Sequence, residues 1–267
     1  MSAPKQTPSD PRSDAAHADV GIVCALPIEL AGFLNRCEHV RRYTGGPFVF
    51  RGGRLNGVRV AIVETGPGLS LAERGTLALL DAHSPDWVIS AGFSGALVPE
   101  LQRGDIVVAD RVRDWQAREL AFDLTYPAEP ERGIHCGRLL TMDRIVRTIE
   151  EKQRLAGETG CLAVDMESFA VADVCRRQGR RFLAIRSISD DLTEDLPPEA
   201  IAIFATRGVR RLGAVAGSLW KRPRSASDLW RLREHAQGAA DSLAAFLPPL
   251  LMQLVPESAA APAPKPR

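Results

Sequence analysis

The chain has 267 residues, a formal net charge of +1, and 45% apolar and 25% charged residues, enough to bury one substantial core and closer to one domain than two. So slight a charge gives no broad electrostatic case for nucleic acid or an acidic surface as partner. Five cysteines, Cys24, Cys37, Cys136, Cys161 and Cys175, form no C-x-x-C pair; three lie in apolar runs, which fits a reduced, cytoplasmic setting, and neither a metal nor a cofactor is expected.

Residues 1–18, rich in Pro, Ser, Ala and Asp with no apolar h-region, read as a disordered lead and not as a signal peptide. No stretch approaches the roughly 18 apolar residues of a membrane span. A single domain is expected over 19–253, with 192–253 a helical extension and 254–267 a disordered tail. Its first element is a buried strand, Val20–Ala25, followed by a helix that opens at Leu26-Pro27 and places Glu29 at the junction. Glu29 has two readings here, a group for chemistry or a complement to its helix dipole worth about 0.3–1 kcal/mol. Phe48 to Val63 reads as a hairpin turned by Asn56-Gly57. The loop Gly66-Pro67-Gly68 precedes a helix through Leu80, with Ser70 and Glu73 spaced as a capping box; the loop is either a tight turn or a cradle of N–H groups for a polar ligand.

Trp87 to Leu97 is another buried strand running into a glycine turn through Gly92, Phe93 and Ser94, and Ile106 to Asp110 a further strand. Residues 115–132 have little pattern and read as a loop or flap. From 160 to 191 the pattern is strand, helix, strand. Asp165 and Glu167 fall where the first strand ends and the helix opens; Arg186 and Asp190 flank the tip of the second strand. In an open α/β sheet the crevice beyond the carboxyl ends of the strands is where ligands bind, so these groups either converge on one small molecule or serve as caps and solvated loop residues. Beyond Leu196 a helix to Trp220, a basic turn Lys221–Arg224 and an amphipathic helix carrying Leu229, Leu232, Ala236, Ala239, Leu243 and Phe246 are expected.

Val164-Asp165-Met166-Glu167-Ser168 followed by Arg186-Ser187-Ile188-Ser189-Asp190 resembles the paired signature of the purine nucleoside phosphorylase and nucleosidase superfamily. The nearest branch is the methylthioadenosine/S-adenosylhomocysteine nucleosidases, with V-E-M-E-A and R-A-I-S-D at nearly this separation. The likeness runs over roughly residues 19 to 192; the region beyond resembles hopanoid-associated phosphorylases. The resemblance implies an α/β fold of three αβα layers around a central mixed, twisted sheet, and an enzyme that splits the N-glycosidic bond of an adenine nucleoside.

By the same resemblance Asp190 protonates the departing base, with burial or neighbouring Asp191 raising its pKa. Glu167 accepts both sugar hydroxyls, Met166 packs under the sugar, and Glu29, steered by Arg186, holds the attacking water. Gly92, Phe93 and Ser94 line the ribose, Ile145 and Val146 lie against the purine, and Gly66, Asp165 and Ser189 count among the substrate contacts. Phe93 stands in place of a serine, and Ser90 where related phosphorylases keep a phosphate-binding arginine. A carboxylate at position 29 and no arginine at Ser90 favour water over phosphate as nucleophile. A phosphorylase, a hopanoid-pathway enzyme acting on a lipid-linked adenosine, and a non-catalytic nucleoside sensor are the other functions considered. A homodimer is implied.

Overall fold

The computed structural model describes residues 16–122, 126–197 and 223–255, and of 223–232 the backbone alone. In chain order the elements are β1 (Val20–Cys24), α1 (Pro27–Leu34), β2 (Glu38–Gly45), β3 (Phe48–Leu55), β4 (Val58–Glu64), α2 (Leu69–His83) and β5 (Trp87–Ala96). There follow β6 (Ile106–Asp114), β7 (Glu119–Ala121), β8 (Ile134–Thr141), α3 (Ile149–Thr159), β9 (Ala163–Asp165), α4 (Ser168–Arg177), β10 (Arg181–Asp190) and α5 (Pro223–Leu254).

The sheet is mixed. β1 runs parallel to β4 and β5, β5 parallel to β10, and β3 antiparallel to both β2 and β4. β5 is also antiparallel to β9 at its far end, where Gly95 faces Val164, and the pairing continues through β8, β6 and back to β10. Half the sheet therefore closes on itself around β5, and the ends of β5, β9 and β10 are forced together.

Side chains alternate along these strands, so each face finds its own helices. Val20, Ile22, Leu183 and Ile185 pack with Leu30 and Phe33 of α1 and Leu243 and Leu247 of α5. Val23, Val63, Val88 and Ala184 pack with Leu79 of α2 and with Phe169 and Val171 of α4. This is the expected three-layer arrangement, and α3 seals a smaller cluster with Leu155 against Leu97, Leu140 and Val164. Cys24, Cys161 and Cys175 are buried and all five cysteines are free.

Several local expectations give way. The Ser70–Glu73 capping box does not form: the N-cap of α2 is Gly68 without a side-chain cap, and Glu73 instead takes the guanidinium of Arg177. The region 115–132 is not all loop, because β7 adds to the edge of β6. His17 and Ala18, at the end of the expected disordered lead, are buried, with the Ala18 N–H donated to the His83 carbonyl. The Asn56-Gly57 turn is as read, with φ of 48° and 87°. Of the C-terminal expectations, the helix to Trp220, Lys221 and Arg222 of the basic turn, and the side chains of Leu229 and Leu232 lie outside the described residues; Pro223 and Arg224 open α5 instead of a turn, and Ala239, Leu243 and Phe246 are buried on it. Among the described residues no helix is long and apolar enough to cross a membrane.

Because Leu243 is fully buried against α1 and the sheet, Leu243→Ala should cost about 2–5 kcal/mol and move one cooperative urea transition, followed by circular dichroism, to lower denaturant. A two-step curve whose main transition keeps its midpoint would make α5 a separate unit.

Candidate active site

The carboxyl ends of β1, β5, β9 and β10 open into one cleft of about 630 Å³, counted out to its mouth. Four acidic residues line it: Glu29, Asp165, Glu167 and Asp190.

Glu29 is the third residue of α1, and its own backbone fixes it. Oε2 accepts the N–H groups of Ala25 and Leu26 at 2.8 and 2.7 Å, and Oε1 accepts that of Phe93 at 3.1 Å. The helix-start role is thus real, and it leaves the carboxyl on the cleft wall. Burial raises its pKa, against the opposing pull of the Leu26 N–H, the Arg186 charge and the Phe93 and Ala25 N–H groups.

Glu167 caps α4, and its Oε1 accepts the Gly68 N–H at 2.7 Å. The glycine loop therefore does hold a polar group, but that group is the protein's own Glu167 carboxyl. Gly66, expected among the substrate contacts, is absent from the cleft wall, where Pro67 stands. Glu167 is surrounded by protein on every side but the cleft. Burial first, then the nearby Asp165, push its pKa up to about 8, against the Arg186 charge and the Gly68 N–H.

Asp190 ends β10 and is held from both sides. Oδ1 accepts the Ser189 hydroxyl at 2.8 Å, and Oδ2 accepts the Lys152 ammonium at 2.6 Å. Two glycines of β5 make room for the acids. A Cβ on Gly92 would stand 2.7 Å from Glu29 Oε1, and one on Gly95 would stand 2.8 Å from Asp190 Oδ2, closer than any side-chain carbon sits. Gly92 is therefore the seat of Glu29 and is not itself part of the wall.

Arg186 is the chief correction. It does not steer Glu29 or reach the cleft; it is buried, with Nε and Nη2 on Asp165 Oδ2 at 2.8 and 2.7 Å and Nη1 and Nη2 on the carbonyl and hydroxyl of Ser90. Ser90 is accordingly closed off behind that guanidinium. Asp165, expected as a substrate contact, does belong to the cleft wall, but its carboxylate is engaged by Arg186, by the Thr141 hydroxyl at 2.7 Å and by the Ser168 N–H at 3.1 Å. Asp191 is not the neighbour that acts on Asp190: its carboxylate faces Arg103 at 3.1 Å and the Thr193 hydroxyl.

The remaining expected residues do come together. Met166, Phe93, Ser94 and Ser189 line the cleft with Glu167, and so do Ile145 and Val146, where no aromatic ring stands. The Ser94 hydroxyl is buried with no partner among the described residues, so a donor or acceptor is on offer where Phe93 supplies none. Lys152 went unnoticed in the sequence because Glu-Glu-Lys-Gln reads as a solvated run. The available signal was its spacing, since a lysine three and four residues before Leu155 and Ala156 sits on the apolar face of α3.

The amino-acid sequence matches the family profile described as Phosphorylase superfamily over residues 19–133 and 129–220. The chain belongs to the phosphorylase superfamily. Within it the chain is 30% identical over 201 residues to a 5′-methylthioadenosine/S-adenosylhomocysteine nucleosidase of Maridesulfovibrio salexigens, covering 66% of this chain and 87% of that one. Two solved nucleosidases of the same name share the superfamily fold. That of Neisseria meningitidis, in complex with methylthio-immucillin-A, has TM-score 0.65, 19% identity and coverage of 88% and 98%. That of Colwellia psychrerythraea 34H, in complex with adenine, has TM-score 0.65, 21% identity and coverage of 89% and 96%.

A carboxyl whose pKa is higher folded than unfolded stabilises the fold at low pH, and that contribution is lost as pH rises through the folded value. For Glu167 the window runs from its ordinary value of 4.5 to about 8. Thermal melts should therefore give wild type and Glu167→Gln similar midpoints near pH 5 and a higher midpoint for the variant at pH 9. An unchanged gap across that range would show that Glu167 titrates normally.

Proposed function

We propose that this member of the phosphorylase superfamily is a purine nucleoside N-ribohydrolase releasing adenine from a 5′-substituted adenosine such as 5′-methylthioadenosine or S-adenosylhomocysteine. The observation that carries the reading is the convergence of Glu29, Glu167 and Asp190 on one cleft, from α1, the start of α4 and the end of β10. Relatives named for this activity and solved neighbours holding adenine or methylthio-immucillin-A support it.

Cleaving the N-glycosidic bond makes the sugar oxocarbenium-like, and three tasks follow. Asp190 gives a proton to the base as the C1′–N9 electron pair leaves with it; such a transfer is typically worth about 10²–10⁴-fold. Glu167 accepts the two vicinal hydroxyls of the sugar, a job its two oxygens suit. Glu29 takes a proton from the water that attacks C1′; the pKa raised by burial makes it a better base than a solvated carboxylate. Ile145 and Val146 bound the base by shape, and Ser94 offers its free hydroxyl to the sugar.

Water is favoured over phosphate by charge. Among the described residues lining the cleft, the one cationic side chain is Arg144, which is engaged by Glu151. A phosphate dianion would meet Glu29 with no guanidinium clamp in Ser90's place. Action as a homodimer in the cytoplasm belongs to the same proposal.

Adenine release from methylthioadenosine, followed by chromatography, should proceed equally with and without phosphate; release only with phosphate would make the enzyme a phosphorylase. Glu29→Gln should lower kcat at least about 100-fold while substrate binding, measured by calorimetry, changes by a few fold. Full turnover in that variant would remove Glu29 from the mechanism.

A further inference from the structure

Lys152 is the largest departure from what the sequence suggests of the site. It lies on α3, fully buried, with its ammonium on Asp190 Oδ2 at 2.6 Å and on the carbonyl of Asp191 at 3.0 Å. Gly95 lies against it, since a Cβ there would come 3.4 Å from Lys152 Cε as well as 2.8 Å from Asp190 Oδ2. A buried lysine is held at the cost of dehydrating its charge, so its position needs a cause. Tying α3 to β10 is one. The geometry offers a second: the carboxyl of Asp190 has two oxygens, and Lys152 occupies one of them.

We propose that Lys152 is a positioning residue for the acid step, a reading that rests on the function proposed above. With Oδ2 fixed by Lys152 and Oδ1 accepting the Ser189 hydroxyl at 2.8 Å, the carboxyl plane is set and Oδ1, the oxygen Lys152 does not occupy, is the one left to serve the base. As the C1′–N9 bond breaks, its electron pair goes to the base and the Asp190 proton moves to the base nitrogen. The negative charge left on Asp190 then develops beside a preplaced ammonium. That interaction strengthens only as the proton leaves, so it favours the transition state over bound substrate. Lys152 keeps its own protons throughout, and the water proton ends on Glu29.

The consequence is energetic coupling through Asp190, which a double-mutant cycle reads directly. Lys152→Met keeps the aliphatic stem. It should lower kcat for methylthioadenosine by about 30-fold or more, part of the 10²–10⁴-fold an acid supplies, with KM within about 3-fold. In an Asp190→Asn background the same change should lower kcat by less than about 3-fold, because the group Lys152 acts on is gone. Should the methionine variant fail to fold by circular dichroism, Lys152→Gln carries the same cycle. Losses that multiply in the double variant, or a raised KM with kcat retained, overturn the inference and leave Lys152 a structural tether. Wild-type protein that releases no base from any nucleoside, with or without phosphate, overturns the functional reading and this inference with it.

Discussion

The buried pair of Arg186 and Asp165 is the constraint on which the site depends. One carboxylate oxygen takes Arg186 and the Ser168 N–H, the other the Thr141 hydroxyl. Thr141 in turn accepts the Phe169 N–H at 3.0 Å. The end of β9, the end of β8, the start of α4 and the middle of β10 are therefore joined by one charged hub out of contact with water. Removing either partner from such a pair costs about 3–5 kcal/mol, because the other is left charged and buried. Glu167 is two residues past Asp165 and caps the helix this hub opens, so its direction into the cleft follows from an ion pair that takes no part in the chemistry.

The site runs against stability. Glu29 and Glu167 are both pushed toward their neutral forms by burial, and Glu167 also by Asp165. Backbone N–H groups from Ala25, Leu26, Phe93 and Gly68 oppose that pressure without adding a charge. Sparing use of cations fits the chemistry proposed: an arginine on Glu29 would hold it as a carboxylate but blunt it as a base, whereas neutral dipoles orient it and leave its basicity to the solvent-poor setting. The two β5 glycines serve the same end, since side chains there would occupy the space in which the acids stand.

Much of this was legible from residue pattern. The Asn56-Gly57 hairpin, the continuous apolar strand at Trp87, and the strand, helix, strand unit from 160 to 191 are set by local chemistry and period, and they appear where expected. Met166, Glu167, Ser189 and Asp190 follow from two motifs at nearly fixed separation, and Glu29, Phe93, Ser94, Ile145 and Val146 from further stretches that resemble the family upstream of Asp165. What the sequence does not carry is who pairs with whom. The resemblance pairs Arg186 with Glu29; the fold instead places Asp165, only 21 residues upstream, across the guanidinium. Ser70 and Glu73 have capping-box spacing, yet the neighbouring helix offers Glu73 a guanidinium and the N-cap falls at Gly68. Lys152 is obscured for a related reason: its spacing to Leu155 and Ala156 places it on the apolar face of α3, but its pairing with Asp190 is a tertiary fact that its charged neighbours in sequence disguise.

The C-terminal extension bears on the acid through a chain of contacts. Arg103 sits between the loop after β10 and α5, donating to the Asp191 carboxylate, the Thr193 hydroxyl and Glu194 at 2.9–3.1 Å and to His235 Nε2 at 2.9 Å. Burial and the adjacent Arg103 charge lower the His235 pKa, so the ring is neutral at physiological pH and can accept that N–H. With Asp191's carboxylate drawn toward Arg103, the Asp191 carbonyl is left to Lys152, and Lys152 is free to face Asp190. Helix α5 thus meets, through Arg103, the loop whose Asp191 carbonyl accepts the Lys152 ammonium, although none of its described residues lines the cleft.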